Sequence, residues 1–114
     1  MATITGIRID TDDTITTVEL DDTNLLRSLY NSLGCRVIET LSLREGIEAI
    51  FDEEGKIIGD TGNDTASIAA LLLGHTFLPG DYLAGPVIFL GRTGGKYNTL
   101  AQQQRSAVLA AITS

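Results

Sequence analysis

Ile4-Thr5-Gly6-Ile7-Arg8-Ile9-Asp10 alternates apolar and polar residues, the period of a strand with one buried face. Ile15-Thr16-Thr17-Val18-Glu19-Leu20 is rich in β-branched residues, and the run Asp10-Thr11-Asp12-Asp13-Thr14 between the two is made of turn formers. Together they predict a β-hairpin. The pattern returns where Ile47-Glu48-Ala49-Ile50-Phe51 and Lys56-Ile57-Ile58 flank the acidic turn Asp52-Glu53-Glu54-Gly55, which its glycine closes, so a second hairpin is expected there. Short hairpins outnumber helical crossovers, and the chain reads as an α+β domain with a predominantly antiparallel sheet.

About three helices complete it. Leu25, Leu26, Leu29, Tyr30 and Leu33 recur at helical spacing, with Asp21, Asp22 and Thr23 as cap candidates and Gly34 as the stop. Residues 36–43 form the next strand candidate, offering Val37, Ile38, Leu41 and Leu43 to a core. Asp60-Thr61-Gly62-Asn63-Asp64-Thr65 supplies caps to a helix over residues 66–73. Residues 83–91 read as a buried strand entered through the kink at Gly85-Pro86, and the glycine-rich residues 92–98 as a flexible loop. Thr99 followed by Gln102 has the spacing of a capping box, opening a last helix through Val108, Leu109 and Ile112. At 114 residues there is room for one core, so residues 1–114 make a single domain.

Fifteen acidic residues against eight basic ones give a formal net charge of −7. Such a surface repels phosphate backbones and anionic membranes, which excludes a general nucleic-acid binder and a basic membrane-surface protein. The charge-free residues 65–79 are too few to span a bilayer, and the N-terminus lacks the basic start and apolar run of a signal peptide. With Cys35 alone there is no internal disulfide, so a reducing cytoplasm is the expected compartment.

Candidates for chemistry are few. His75 is the single histidine, and with one cysteine no zinc set is available; a Cys35–His75 nucleophile pair requires the fold to bring them together. Asp10, Asp12 and Asp13 start like a calcium loop but lack its glycine and its closing glutamate. Asp52, Glu53 and Glu54 read as solvated turn charges, and Asp60, Asn63 and Asp64 as caps. No cofactor, no metal site and no catalytic residue is expected. The most informative feature is a charge asymmetry: no acidic residue follows Asp81, whereas Arg92, Lys96 and Arg105 do. Arg92, Gly94, Gly95, Lys96, Tyr97 and Thr99 thus combine cations, glycines that let backbone N–H groups approach a ligand, and a helix entry. That set is the candidate site for a phosphate or carboxylate; incidental surface cations paired to the acidic body are the plainer alternative. It is not a Walker loop, being one residue short between Gly91 and Gly95-Lys96 and carrying Tyr97 where Ser or Thr is needed.

The order of elements resembles a family of small proteins of bacteria and their phages, the domain of unknown function 3846. The resemblance is carried by Val18-Glu19-Leu20, Leu25-Leu26-Arg27-Ser28-Leu29-Tyr30, Leu33-Gly34, Ile38-Glu39, Phe51-Asp52-Glu53-Glu54-Gly55-Lys56, Gly62-Asn63 with Ala66, residues 83–91 and Thr99-Leu100. It implies an accessory gene of phages or mobile elements acting on host machinery, and it brings no site residues with it.

Two functions are weighed. The first is a non-enzymatic accessory protein that counters host defence by sequestering a small anionic, nucleotide-like ligand in a homo-oligomer, with Arg92, Lys96 and Thr99 on the phosphates and Tyr97 stacked on the base. The alternative is an acidic DNA mimic or inhibitor that binds a host protein, such as a defence protein, through Asp12, Asp13, Asp52, Glu53 and Glu54.

Overall fold

The computed structural model describes residues 2–56, 59 and 61–113. The N-terminal hairpin forms as its alternation predicts: β1 (Thr3–Ile9) and β2 (Ile15–Asp21) pair antiparallel, from Thr3 opposite Asp21 to Ile9 opposite Ile15. In its turn the Asp12 carboxylate accepts from the Thr14 N–H at 3.0 Å. A 3₁₀ turn over Asp22–Asn24, capped by the Asp21 carboxylate through the Thr23 N–H, leads into α1 (Leu25–Leu33). Leu29 and Leu33 form its buried stripe, and Gly34 ends it at φ 66°, a left-handed conformation that costs glycine little.

The next strands depart from expectation. β3 (Ile38–Ser42) and β4 (Ile47–Asp52) form the second hairpin, joined through a 3₁₀ turn at Arg44–Gly46. The other edge of β4 carries β5 (Val87–Thr93). The hairpin partner of β4 is therefore β3, which precedes it, in place of the expected run after Asp52-Glu53-Glu54-Gly55. Lys56 lies in a turn; Ile57, Ile58 and the cap candidate Asp60 lie outside the described residues.

α2 (Asp64–Leu72) is capped by Asn63, whose side-chain oxygen accepts from the Ala66 N–H at 3.0 Å. Residues 92–98 are likewise not a loop. β5 continues to Thr93 and turns through Gly94 and Gly95, at φ 58° and 80°, into β6 (Lys96–Asn98). Two successive left-handed residues are what a two-residue hairpin turn requires to match strand twist, so these glycines supply handedness. The helix start also moves, and no reciprocal box forms, since the alanine at the N-cap has no side-chain acceptor. α3 (Gln102–Ile112) has Ala101 at its N-cap, whose N–H donates to Gln104 Oε1 at 2.8 Å. The Thr99 hydroxyl instead accepts from the Thr5 N–H at 3.0 Å, a donor on the β1 edge beyond the β1–β5 ladder.

The result is an α+β domain around one six-stranded antiparallel sheet, ordered β2-β1-β5-β4-β3 with β6 on β5. Alternation sorts side chains to two cores. Ile7, Ile9, Ala49, Phe51, Val87 and Phe89 meet α2 and α3 on one face; Ile4, Leu20, Ile50, Ile88 and Leu90 meet α1 on the other. Covered on both faces, every residue of β4 is buried, including Glu48 and Asp52. Asp52 is therefore not a solvated turn charge: its carboxylate accepts from the Glu54 N–H at 2.8 Å and organises the turn from inside. Gly6 lies where a Cβ would stand 2.4 Å from the Phe89 carbonyl and 2.5 Å from Leu90 Cδ2, so β1 closes on β5 only without a side chain there. No helix among the described residues is long and apolar enough to cross a membrane.

Candidate functional site

α2 carries two apolar stripes. Ala66, Ala69 and Ala70, continued by Leu73, recur at helical spacing and bury against a core that includes Val108 and Ala111 of α3. Small residues inside let the helix sit close. The larger Ile68, Leu71 and Leu72 recur at the same spacing on the outside and are 50%, 52% and 45% exposed. A helix that puts alanines inward and its isoleucine and leucines outward has a second face suited to burial.

Beyond α2 the chain reverses at Gly74 (φ 107°), and the segment 74–84 runs back beside the helix. Phe77 packs against the core, while Leu78 is 77% exposed. An apolar groove of about 550 Å³ opens between the two, walled by Ile68, Leu71, Phe77, Leu78 and Tyr82. The segment is tied down at its far end by Asn63, which is fully buried. Asn63 Nδ2 donates to the carbonyls of Ile9 and Gly85, both at 2.9 Å, and its N–H donates to the Leu83 carbonyl.

Phe77, Asp81 and Tyr82 also line a polar cavity of about 150 Å³ at the β3–β4 end of the sheet. β3 and β4 supply Glu39, Leu41, Phe51 and Asp52; the following turn supplies Glu53 and Lys56; His75 closes the opposite side. The His75 ring meets Phe77 edge-on, centroids 4.4 Å apart. Lys56 Nζ pairs with the Asp81 carboxylate and stands 5.1 Å from the centre of the Tyr82 ring. The hydrogen bond from Lys56, then that from the Tyr82 N–H, hold the Asp81 carboxyl below its ordinary value; the charges of Lys56 and His75 add to this. Four carboxylates face one ammonium across this cavity, so it favours cations and repels phosphate.

The nominated residues of the β5–β6 hairpin lie elsewhere. Arg92 and Tyr97 are cross-strand partners: Arg92 Nη1 donates to Glu48 Oε1 at 3.0 Å, and its guanidinium lies 5.2 Å from the centre of the Tyr97 ring. Glu48 is 2% exposed, and its Oε2 is buried with no hydrogen-bond partner. Tyr97 packs against the α1-side core. Lys96, opposite Thr93, leaves the strand on the other face, so the two cations do not converge. Gly94 and Gly95 form the exposed turn, and Thr99 is bound to β1, three residues before α3 begins.

Cys35 and His75 are not brought together. Cys35 packs against the α1-side core, while His75 meets Phe77 edge-on, and Phe77 packs against the α2–α3 core. Among the described residues no three His, Cys, Asp or Glu side chains are grouped to hold a metal ion. Asp12 and Asp13 sit in the β1–β2 turn, where the Asp13 carboxylate accepts from the Thr65 hydroxyl. Lys56, Asp81 and Tyr82 escaped the sequence reading. One signal was available: Lys56 is the single base between Arg44 and Arg92, directly after the acidic turn Asp52-Glu53-Glu54-Gly55.

Residues 4–113 match the family described as Domain of unknown function (DUF3846), and the chain belongs to it. No curated protein and no solved structure matches it.

Proposed function

We propose that this member of the DUF3846 family is a non-enzymatic binding protein that engages a protein partner along α2 and the 74–84 segment. The partner presents apolar side chains beside a basic one. The observation that carries this reading is the second apolar stripe of α2, whose groove runs into an acidic cavity through the shared walls Phe77, Asp81 and Tyr82. Burying an aliphatic side chain of this size stabilises a complex by about 1.5–3 kcal/mol before the costs of association. The cavity falls below the roughly 300–1,000 Å³ of small-molecule pockets and suits one side-chain head group. A phage or mobile-element setting would make the partner a host protein, such as one of defence.

The anionic-ligand reading of the hairpin stands second. Lys96, Gly94 and Gly95 are exposed and follow the last acidic residue, which supports it. Arg92, however, is engaged by Glu48 and Tyr97, leaving one cation for the ligand.

The test places a photocrosslinking amino acid at Leu78 in the producing cell. One discrete heterologous adduct is expected, identified by mass spectrometry and then purified for binding measurements. Ile68→Asp with Leu78→Asp should weaken that binding about 100-fold, the loss typical of central apolar anchors. A self-adduct alone, or affinity that survives the double change, overturns the reading. Binding lost with Lys96→Ala instead would transfer the function to the hairpin.

A further inference from the structure

Among the described residues Lys56 supplies the one ammonium lining the polar cavity, and it belongs to the chain itself. Its ammonium rests between the Tyr82 ring and the Asp81 carboxylate, the two groups that recognise an alkylammonium or guanidinium: a π face and an anion. The contact is open. The Lys56 and Asp81 side chains are 46% and 38% exposed, and exposed ion pairs hold weakly. Glu39, Asp52 and Glu53 line the same cavity, so its negative potential exceeds what one lysine balances. Tyr82 and Asp81 are also walls of the apolar groove, which places this cation position at the end of the surface where a partner would lie.

We propose that the cavity is a subsite for a lysine or arginine side chain of the partner, and that Lys56 is a resident stand-in that vacates it on binding. The inference rests on the reading of the groove as a docking surface. Lys56 keeps the cage of ring and carboxylate assembled and hydrogen-bonded in the free protein. It also competes with the incoming cation, so a partner without a basic residue has nothing to exchange for it. Specificity then comes from the exchange, and affinity from the apolar groove.

The experiment uses n-butylguanidinium as probe, titrated into the isotope-labelled full chain while the Tyr82 and His75 ring resonances are followed. Lys56→Met keeps the apolar stem and removes the ammonium. It should tighten probe binding about threefold, the gain expected when a self-occupied fraction near two-thirds is freed. Adding Asp81→Asn to Lys56→Met should abolish the gain, and butyrate should leave both rings unmoved. Equal probe affinity in the parent and Lys56→Met proteins, including none in either, overturns the proposal; so do shifts confined to other residues. Lys56→Gln serves as a second variant, with the amide spectrum as the check of folding. The groove variants, read on the captured partner, test the underlying reading separately. If the probe fails here while Ile68→Asp and Leu78→Asp still release the partner, only the cation subsite falls.

Discussion

Two places in the molecule are built from the same three parts, a cation lying over a tyrosine ring and paired with a carboxylate. At the β5–β6 hairpin these are Arg92, Tyr97 and Glu48; at the cleft they are Lys56, Tyr82 and Asp81. The ring distances, 5.2 and 5.1 Å, are nearly equal. Burial separates them. Glu48 is sealed beneath the sheet's α1 face with its side chain 3% exposed, whereas Asp81 is 38% exposed beside a cavity. A sealed carboxylate depends on its cation, because losing the partner strands a charge away from water. An open pair costs little to part, so it is available for exchange with a ligand. The arrangement is structural in one place and open to a ligand in the other, and dielectric surroundings make the difference.

The largest expected effect removes the anchor that shapes the cleft. Asn63→Ala deletes the α2 cap and two buried carbonyl contacts at once, and urea denaturation should show a loss of about 2–4 kcal/mol. Next comes the sealed trio. Arg92→Met leaves the Glu48 carboxylate without its donor and should cost about 1–3 kcal/mol; Glu48→Gln in the same protein should recover most of it, since a neutral amide is cheaper to bury. Failure of that rescue would mean that the guanidinium matters for packing on Tyr97 and not for charge. The open trio should change stability least: Lys56→Met is expected to shift the urea midpoint only at the edge of resolution near neutral pH. Whatever difference exists has a defined pH dependence. The Asp81 carboxyl is held below its ordinary value near 3.8, so its pairing contribution is complete above that pH and fades as acid titrates it through its lower folded value. Melts of the parent and Lys56→Met proteins should therefore converge below about pH 3.8.

Much of the fold was legible because its signals are local. The alternation of residues 4–10, the leucine spacing of α1 with Gly34 at its end, and the caps before α2 each act within one turn or one strand. The errors share a cause. Ile47-Glu48-Ala49-Ile50-Phe51 reads as pairing with its next apolar neighbour, but pairing is decided by which edges remain free, and β5 comes from 40 residues later in the chain, Ala49 against Phe89. Gly94 and Gly95 read as flexibility because composition cannot distinguish a mobile loop from a turn that needs left-handed residues. The site was less legible than the fold. Arg92 and Lys96 stand four apart in sequence, yet a hairpin between them sends them to opposite faces. Lys56, Asp81 and Tyr82 are brought together only by the return of the 74–84 segment.

The sequence by itself determined the class of the protein: hairpins, three helices, an excess of acidic residues and membership of its family, all properties written in short-range pattern and composition. Only the tertiary structure decided which of its charges are committed and which are available. That depends on desolvation and on contacts between residues distant in the chain, neither of which has a local signature. Glu48 and Asp81 are both carboxylates; β3 and β5 flank one on both edges, while the other faces a cleft open to water.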